Sequence, residues 1–204
     1  IYEQELYFEN STDQIDYNLL SQFLDKNIFK IEKLRRNFLK SIFLIIENNK
    51  ILDFSIGIKK KNYSKKINRQ FLESSLTELK HLFKENYKNN KILHFYVDRY
   101  LIDGANHSLF DKEIDGDHIC VEANFISIPT LLTKEISEVL EKYQIKIDRF
   151  FDKKYIQNFF QEQTFDLSVC AFKMKSGQNQ NEILLISKTV KKKGFFEKFF
   201  QLFS

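Results

Sequence analysis

Hydrophobic positions along the chain follow two rhythms, one near 3.6 residues and one of two. Ile15, Leu19, Leu20, Phe23, Leu24, Ile28, Ile31 and Leu34 recur at helical spacing behind a Ser11/Gln14 capping box, which predicts a helix over residues 12–36. Residues 42–46 are an unbroken apolar run ending at Glu47, Asn48 and Asn49, and their length suits a buried strand. Asn49 and Lys50 then mark a turn, and residues 51–58 alternate as a second strand. Phe71, Leu72, Leu76, Leu79, Leu82 and Phe83 define a helix ending near Asn89 and Asn90, followed by a strand at 92–97. Residues 118–128 alternate with Ile119, Val121, Ala123 and Phe125 on one face.

Pro129 and Thr130 open a further helix whose apolar side carries Leu132, Ile136, Val139, Leu140 and Tyr143. A strand at 145–150 and a helix at 152–160 come next. Strands are expected at 2–8, 165–174 and 183–186, with turns at Asp103-Gly104, Asp115-Gly116 and Ser176-Gly177. The mixture predicts an α+β fold with helices laid over small sheets. There is no internal repeat.

The last fourteen residues, KKKGFFEKFFQLFS, stand apart. On a helical wheel Phe195, Phe196, Phe199, Phe200, Leu202 and Phe203 fill one arc, and Glu197, Lys198, Gln201 and Ser204 fill the other. Such a helix rises about 16 Å, too short for a hydrocarbon core of about 30 Å. It suits an amphipathic helix lying in a membrane surface, with Lys191, Lys192, Lys193 and Lys198 directed to anionic lipid.

Charge sharpens this picture. The chain carries a net +4, and the segment from Lys188 onward, with five lysines and one glutamate, holds the same +4. The remainder sums to zero, which argues against a nucleic-acid-binding surface. The basic run KKKNYSKKINR at 59–69 is expected to be a solvated loop, as charge runs usually are. Cys120 and Cys170 form neither a disulfide framework nor a zinc pattern.

Chemistry for catalysis is sparse. His81, His94, His107 and His118 are scattered. His107, Asp111, Asp115, Asp117 and His118 form a polar cluster that reads as a turn-rich loop at a strand end rather than as a metal site, which would need its ligands to converge in space. No phosphate-binding glycine motif occurs, and no Ser or Cys sits in a nucleophile context. No catalytic residue, cofactor or metal is expected, and the chain is not expected to be an enzyme.

The stretch ILHFYVDRYLIDGANHSLFDKEIDGDHICVEANFISIP resembles the bacterial actin-like cell-division protein FtsA. The family has there a strand leading to a Y-x-[IL]-D turn, matched by Tyr100-Leu101-Ile102-Asp103, and then a strand matched by Val121-Glu122-Ala123. The resemblance implies an SHS2-type (strand–helix–strand–strand) 1C subdomain at 48–149. It would be attached to a partial actin-like, ribonuclease H-like 1A segment at 1–47. A return into the actin-like domain at 150–187 would include the family's last strand at 165–173. A basic linker and membrane-targeting helix would occupy 188–204. It further implies that Tyr100, Asp103 and Glu122 belong to the interaction surface of 1C.

FtsZ and later division proteins would be partners, self-association is expected, and the location would be the cytoplasmic face of the inner membrane at the division septum. The family binds ATP through Gly-rich loops of the D-[IL]-G-x-G-[ST]-T kind. None is present among five glycines, so ATP is not expected for this chain. Subdomains 2A and 2B, the latter holding most of the family's FtsZ-tail contact, have no counterpart here, so the resemblance implies a truncated or internally deleted relative, or an engineered or fragmentary gene. The alternative is a free-standing SHS2-type scaffold protein whose tail docks on a protein groove.

Overall fold

The computed structural model describes residues 2–8, 15–63, 66–107, 113–161 and 166–183. The expected tail helix, the Ser11/Gln14 capping box and residues 184–186 of the last expected strand lie outside them. The fold is mixed, with five helices and three sheets among the described residues.

A four-stranded antiparallel sheet is the centre of the molecule. It consists of β2 (Leu52–Lys61), β4 (Asn90–Ile102), β5 (Ala105–His107) and β7 (His118–Pro129), in the order β2-β7-β4-β5. Helix α2 (Arg69–Asn86) covers one face. Its start is set by Asn68, whose side chain accepts the Phe71 N–H at 3.0 Å. The alternation of β7 delivers Ile119, Val121, Ala123 and Phe125 to this face, all essentially inaccessible to solvent. Phe125 sits at the middle of an aromatic stack, with ring centroids 4.5 Å from Phe95, 5.0 Å from Phe83 and 6.2 Å from Phe54.

Two bulges decide what β4 presents. The register against β7 slips between Ile92 and His94 and again between Val97 and Arg99. Each slip reverses the parity of the strand. Ile92, Phe95, Val97, Tyr100 and Ile102 therefore all reach the α2 core, while Leu93 joins a second core. The strand expected to end at Val97 continues for five more residues, because the alternation breaks at a bulge rather than at a strand end. Asp103 (φ 47°) and Gly104 (φ 87°) then close a two-residue hairpin into β5.

The second core lies beneath a parallel pair, β1 (Ser41–Ile46) with β8 (Lys146–Asp152). Helices α4 (Lys153–Phe160) and α5 (Leu167–Lys175) pack against it, together with Ile126 and Ile128 of β7. Residues 167–174 were expected as a strand and are helical. Asp166 caps the helix by accepting the Ser168 N–H at 2.8 Å, and Cys170, Ala171 and Met174 are buried at helical spacing. A third cluster holds α1 (Tyr17–Arg35) against α3 (Thr130–Glu141) through Leu24, Ile28, Ile136 and Leu140.

Helix α1 starts at Tyr17 rather than near residue 12, because Asp16 caps it by accepting the Asn18 and Leu19 N–H groups. Residues 2–8 form no strand. The basic run at 59–69 is not simply a loop. Lys59, Lys60 and Lys61 extend β2, and β3 (Lys66–Ile67) pairs with β6 (Ile114–Asp115), burying Ile67 completely. Gly116 follows β6 where a Cβ would lie 2.4 Å from Ile102 Cγ2, so a larger residue cannot fit without displacement.

Candidate functional site

Tyr100, Asp103 and Glu122 do not form one surface. Tyr100 is 6 % exposed and belongs to the α2 core, where burial raises its phenol pKa. Asp103 holds the hairpin. Its carboxylate accepts the Asp117 and His118 N–H groups at 3.0 and 2.8 Å, and these bonds keep its pKa below the usual carboxylate range. Glu122 points to the opposite face of the sheet from Tyr100 and accepts from Arg99 Nε at 2.5 Å.

That opposite face is polar around Glu122 and Asn124, whereas Ile126 and Ile128 farther along the same face are buried in the second core. Asn124 organises one part of it. Its amide donates to Asp53 Oδ1 at 2.7 Å and to the Tyr96 hydroxyl at 2.8 Å, and its carbonyl accepts from Ser55 Oγ at 2.6 Å. Beside it a cleft of about 490 Å³ opens between β2, β4 and α4, lined by Asp53, Tyr96, Asp152, Tyr155, Asn158 and Phe159 among others.

The densest polar chemistry is buried, at a joint between β4, β8 and the C-terminal segment. That segment docks on the outer edge of β4. Val97 N–H donates to Asn181 O at 3.0 Å, and Ile183 N–H donates to Phe95 O at 2.7 Å. Between these bonds Glu182 turns inward. Its carboxylate accepts from His94 Nδ1 at 2.8 Å and pairs with Arg149, and its side chain is 3 % exposed. The Asp152 N–H donates to His94 Nε2 at 3.0 Å, so Nε2 is an acceptor and the ring proton resides on Nδ1. Burial holds the His94 pKa below its usual value, against the upward pull of Glu182.

Asp152 serves twice, since its side chain also caps α4 by accepting the Tyr155 N–H at 2.8 Å. The Tyr155 ring lies 4.0 Å from the His94 ring, and its hydroxyl accepts from Asn179 at 2.7 Å. Arg149 lies over the Phe151 ring at 4.7 Å, and its Nη1 is buried with no hydrogen-bond partner.

This joint was not singled out from the sequence. Its signal was a polar residue inside an apolar run: His94 in ILHFYV and Arg149 in IDRFF. Such residues persist in cores only when paired. The joint fixes the segment that leads into the basic tail.

Among the described residues, no three His, Cys, Asp or Glu side chains gather to hold a metal ion. Asp111 of the polar cluster lies outside the described residues. No helix among the described residues is long and apolar enough to cross a membrane. Neither a protein-family model nor a curated protein matches the chain.

Proposed function

We propose that this chain is a non-enzymatic cell-division adaptor of the FtsA type, tethering division-ring components to the inner membrane through its C-terminal amphipathic segment. The observation that carries this reading is an order. Strand β2, helix α2 and strands β4 and β7 follow in that chain order, with the short β3, β5 and β6 between them; the three long strands share one antiparallel sheet, and a basic, phenylalanine-rich segment follows later in the chain. Strand–helix–strand–strand is the order of an SHS2-type 1C module. In that reading the module meets neighbouring division proteins through its open polar face and edges, rather than through the buried Tyr100.

The small parallel pair β1–β8 supports the partial actin-like part of the reading. Parallel sheets occur almost only as covered, multistranded layers. A two-stranded one suits a sheet lacking its other strands. Phe29, Leu34 and Phe38, which are 71, 65 and 75 % exposed, lie at the end of α1 and just beyond it, as residues would where a covering layer is missing. ATP is no part of the proposal, since no phosphate loop exists in the sequence.

Tail binding would be weak and reversible. Each lysine near anionic lipid contributes about 1 kcal/mol, and each partly buried phenylalanine about 1–2 kcal/mol. Ordering some ten residues costs roughly 1 kcal/mol apiece. A few kcal/mol remain, so stable attachment needs several tails on one assembly.

The division role is tested by expressing the full chain, fluorescently tagged, in a rod-shaped bacterium. The adaptor reading expects a band at the division septum that is lost on deleting residues 194–204. A uniform cytoplasmic signal, or a band indifferent to that deletion, would contradict it.

A further inference from the structure

Strand β2 has an outer edge to which no strand is bonded among the described residues. Which residues face that edge follows from one bond. Asn62 N–H donates to Asp117 O at 2.7 Å, and the register runs on from Lys61 opposite His118. In an antiparallel strand the N–H and C=O of one residue point to the same side, and the side alternates. The even-numbered residues of β2 therefore bond to β7. Asp53, Ser55, Gly57, Lys59 and Lys61 turn their N–H and C=O groups outward. The side chains of these same residues lie on the open polar face, while Phe54, Ile56 and Ile58 face the α2 core.

A long free edge is a template for another strand, and an edge lysine ordinarily guards it. Here the guard carries its own complement. Asp53 and Lys59 share a face, and Lys59 makes no ion pair among the described residues. We propose that β2 pairs antiparallel with β2 of a second copy, about a two-fold axis through Ile56. Asp53 then stands opposite Lys59 of the other chain, twice by symmetry, and Ser55 opposite Gly57. Each pair exchanges both its hydrogen bonds through groups that the β2–β7 ladder leaves unused.

This register also places Ile56 against its own copy and Phe54 against Ile58. Phe54, Ile56 and Ile58 on the α2 side of this edge thus meet one another, while Leu52, 41 % exposed at the start of β2, stands opposite Lys60. A shift by two residues brings Phe54 opposite Lys60 or leaves Asp53 opposite Gly57. The sheet would become continuous across the dimer, with helix α2 of each copy on the same side. The contact is small, so the dimer is of the weak, concentration-dependent kind. It rests on β2 alone and is independent of the adaptor reading.

Sedimentation equilibrium of the full chain without lipid tests the pairing. The wild type should show a monomer–dimer equilibrium near about 100 μM. Asp53→Lys and Lys59→Asp each set like charges opposite one another, and each should weaken the dimer about tenfold. The double exchange D53K/K59D restores opposite charges and should restore the dimer. Gly57→Pro removes an outward N–H without touching the β2–β7 ladder, and should abolish association while circular dichroism stays unchanged. A wild type that remains monomeric overturns the proposal. So does association that both single reversals leave intact, or a double exchange no stronger than either single one.

Discussion

His94 shows how one buried side chain ties the molecule to pH. Its ring is neutral in the fold, donating from Nδ1 to Glu182 and accepting the Asp152 N–H at Nε2, with the Tyr155 ring against it and Arg149 paired to the same Glu182. Burial sets its folded pKa below the usual histidine value. The unfolded chain therefore takes up this proton first as pH falls. Stability from His94 is fully present above the unfolded value of about 6.5, declines as pH drops through it, and levels off below the folded pKa. The slope is at most about 1.4 kcal/mol per pH unit. Urea unfolding at about pH 7.5 and about pH 5.5 should show a larger loss for the wild type than for His94→Gln, which cannot titrate. Equal losses would mean that the ring is not held neutral. Asp103 acts in the opposite range. Its pKa is depressed by two backbone N–H groups, so its contribution is present above the unfolded carboxylate value and disappears in acid as pH falls through the folded one.

At the scale of elements, the aromatic stack and the C-terminal joint make separate predictions. Phe125 is fully buried between Phe54, Phe83 and Phe95, so Phe125→Ala should cost about 3–5 kcal/mol in denaturant unfolding. Glu182→Gln removes the carboxylate that faces Arg149 and His94, leaving the guanidinium buried beside a neutral amide. Breaking such a pair typically costs about 3–5 kcal/mol. The loss should be local first. Hydrogen exchange should accelerate at the Val97 and Ile183 amides, which tie the segment to β4, and remain slow at Asp103, whose amide bonds His118 on the other side of β4.

What the sequence made legible follows the same elements. Strand β7 could be read directly, because an antiparallel strand with one covered face alternates cleanly. Strand β4 could be read only to Val97, because its bulges reverse parity and disguise the pattern. Helix α5 was mistaken for a strand because Leu167, Val169 and Ala171 alternate with polar or small residues. The Asp166 cap and the Cys170–Met174 spacing were the better signals. The joint was illegible because its members are remote in sequence: Glu182 lies 88 residues from His94 and 33 from Arg149.

On the scale of the whole molecule, a neutral α+β body precedes a basic, aromatic end. Glu182 and its hydrogen-bonded neighbours fix the chain shortly before Lys188, where the excess positive charge begins. In the adaptor reading a single tail binds weakly and gains from number, and a dimer through β2 would carry two such tails. The decisive measurement is co-sedimentation of the full chain with anionic vesicles, set beside neutral vesicles and the variant Phe199→Glu. Binding to anionic vesicles that fades with salt, fails on neutral ones and is lost in Phe199→Glu is the predicted result. Sedimentation unchanged by that substitution, or no binding to anionic vesicles at all, would contradict the claim that this end of the chain is a membrane anchor.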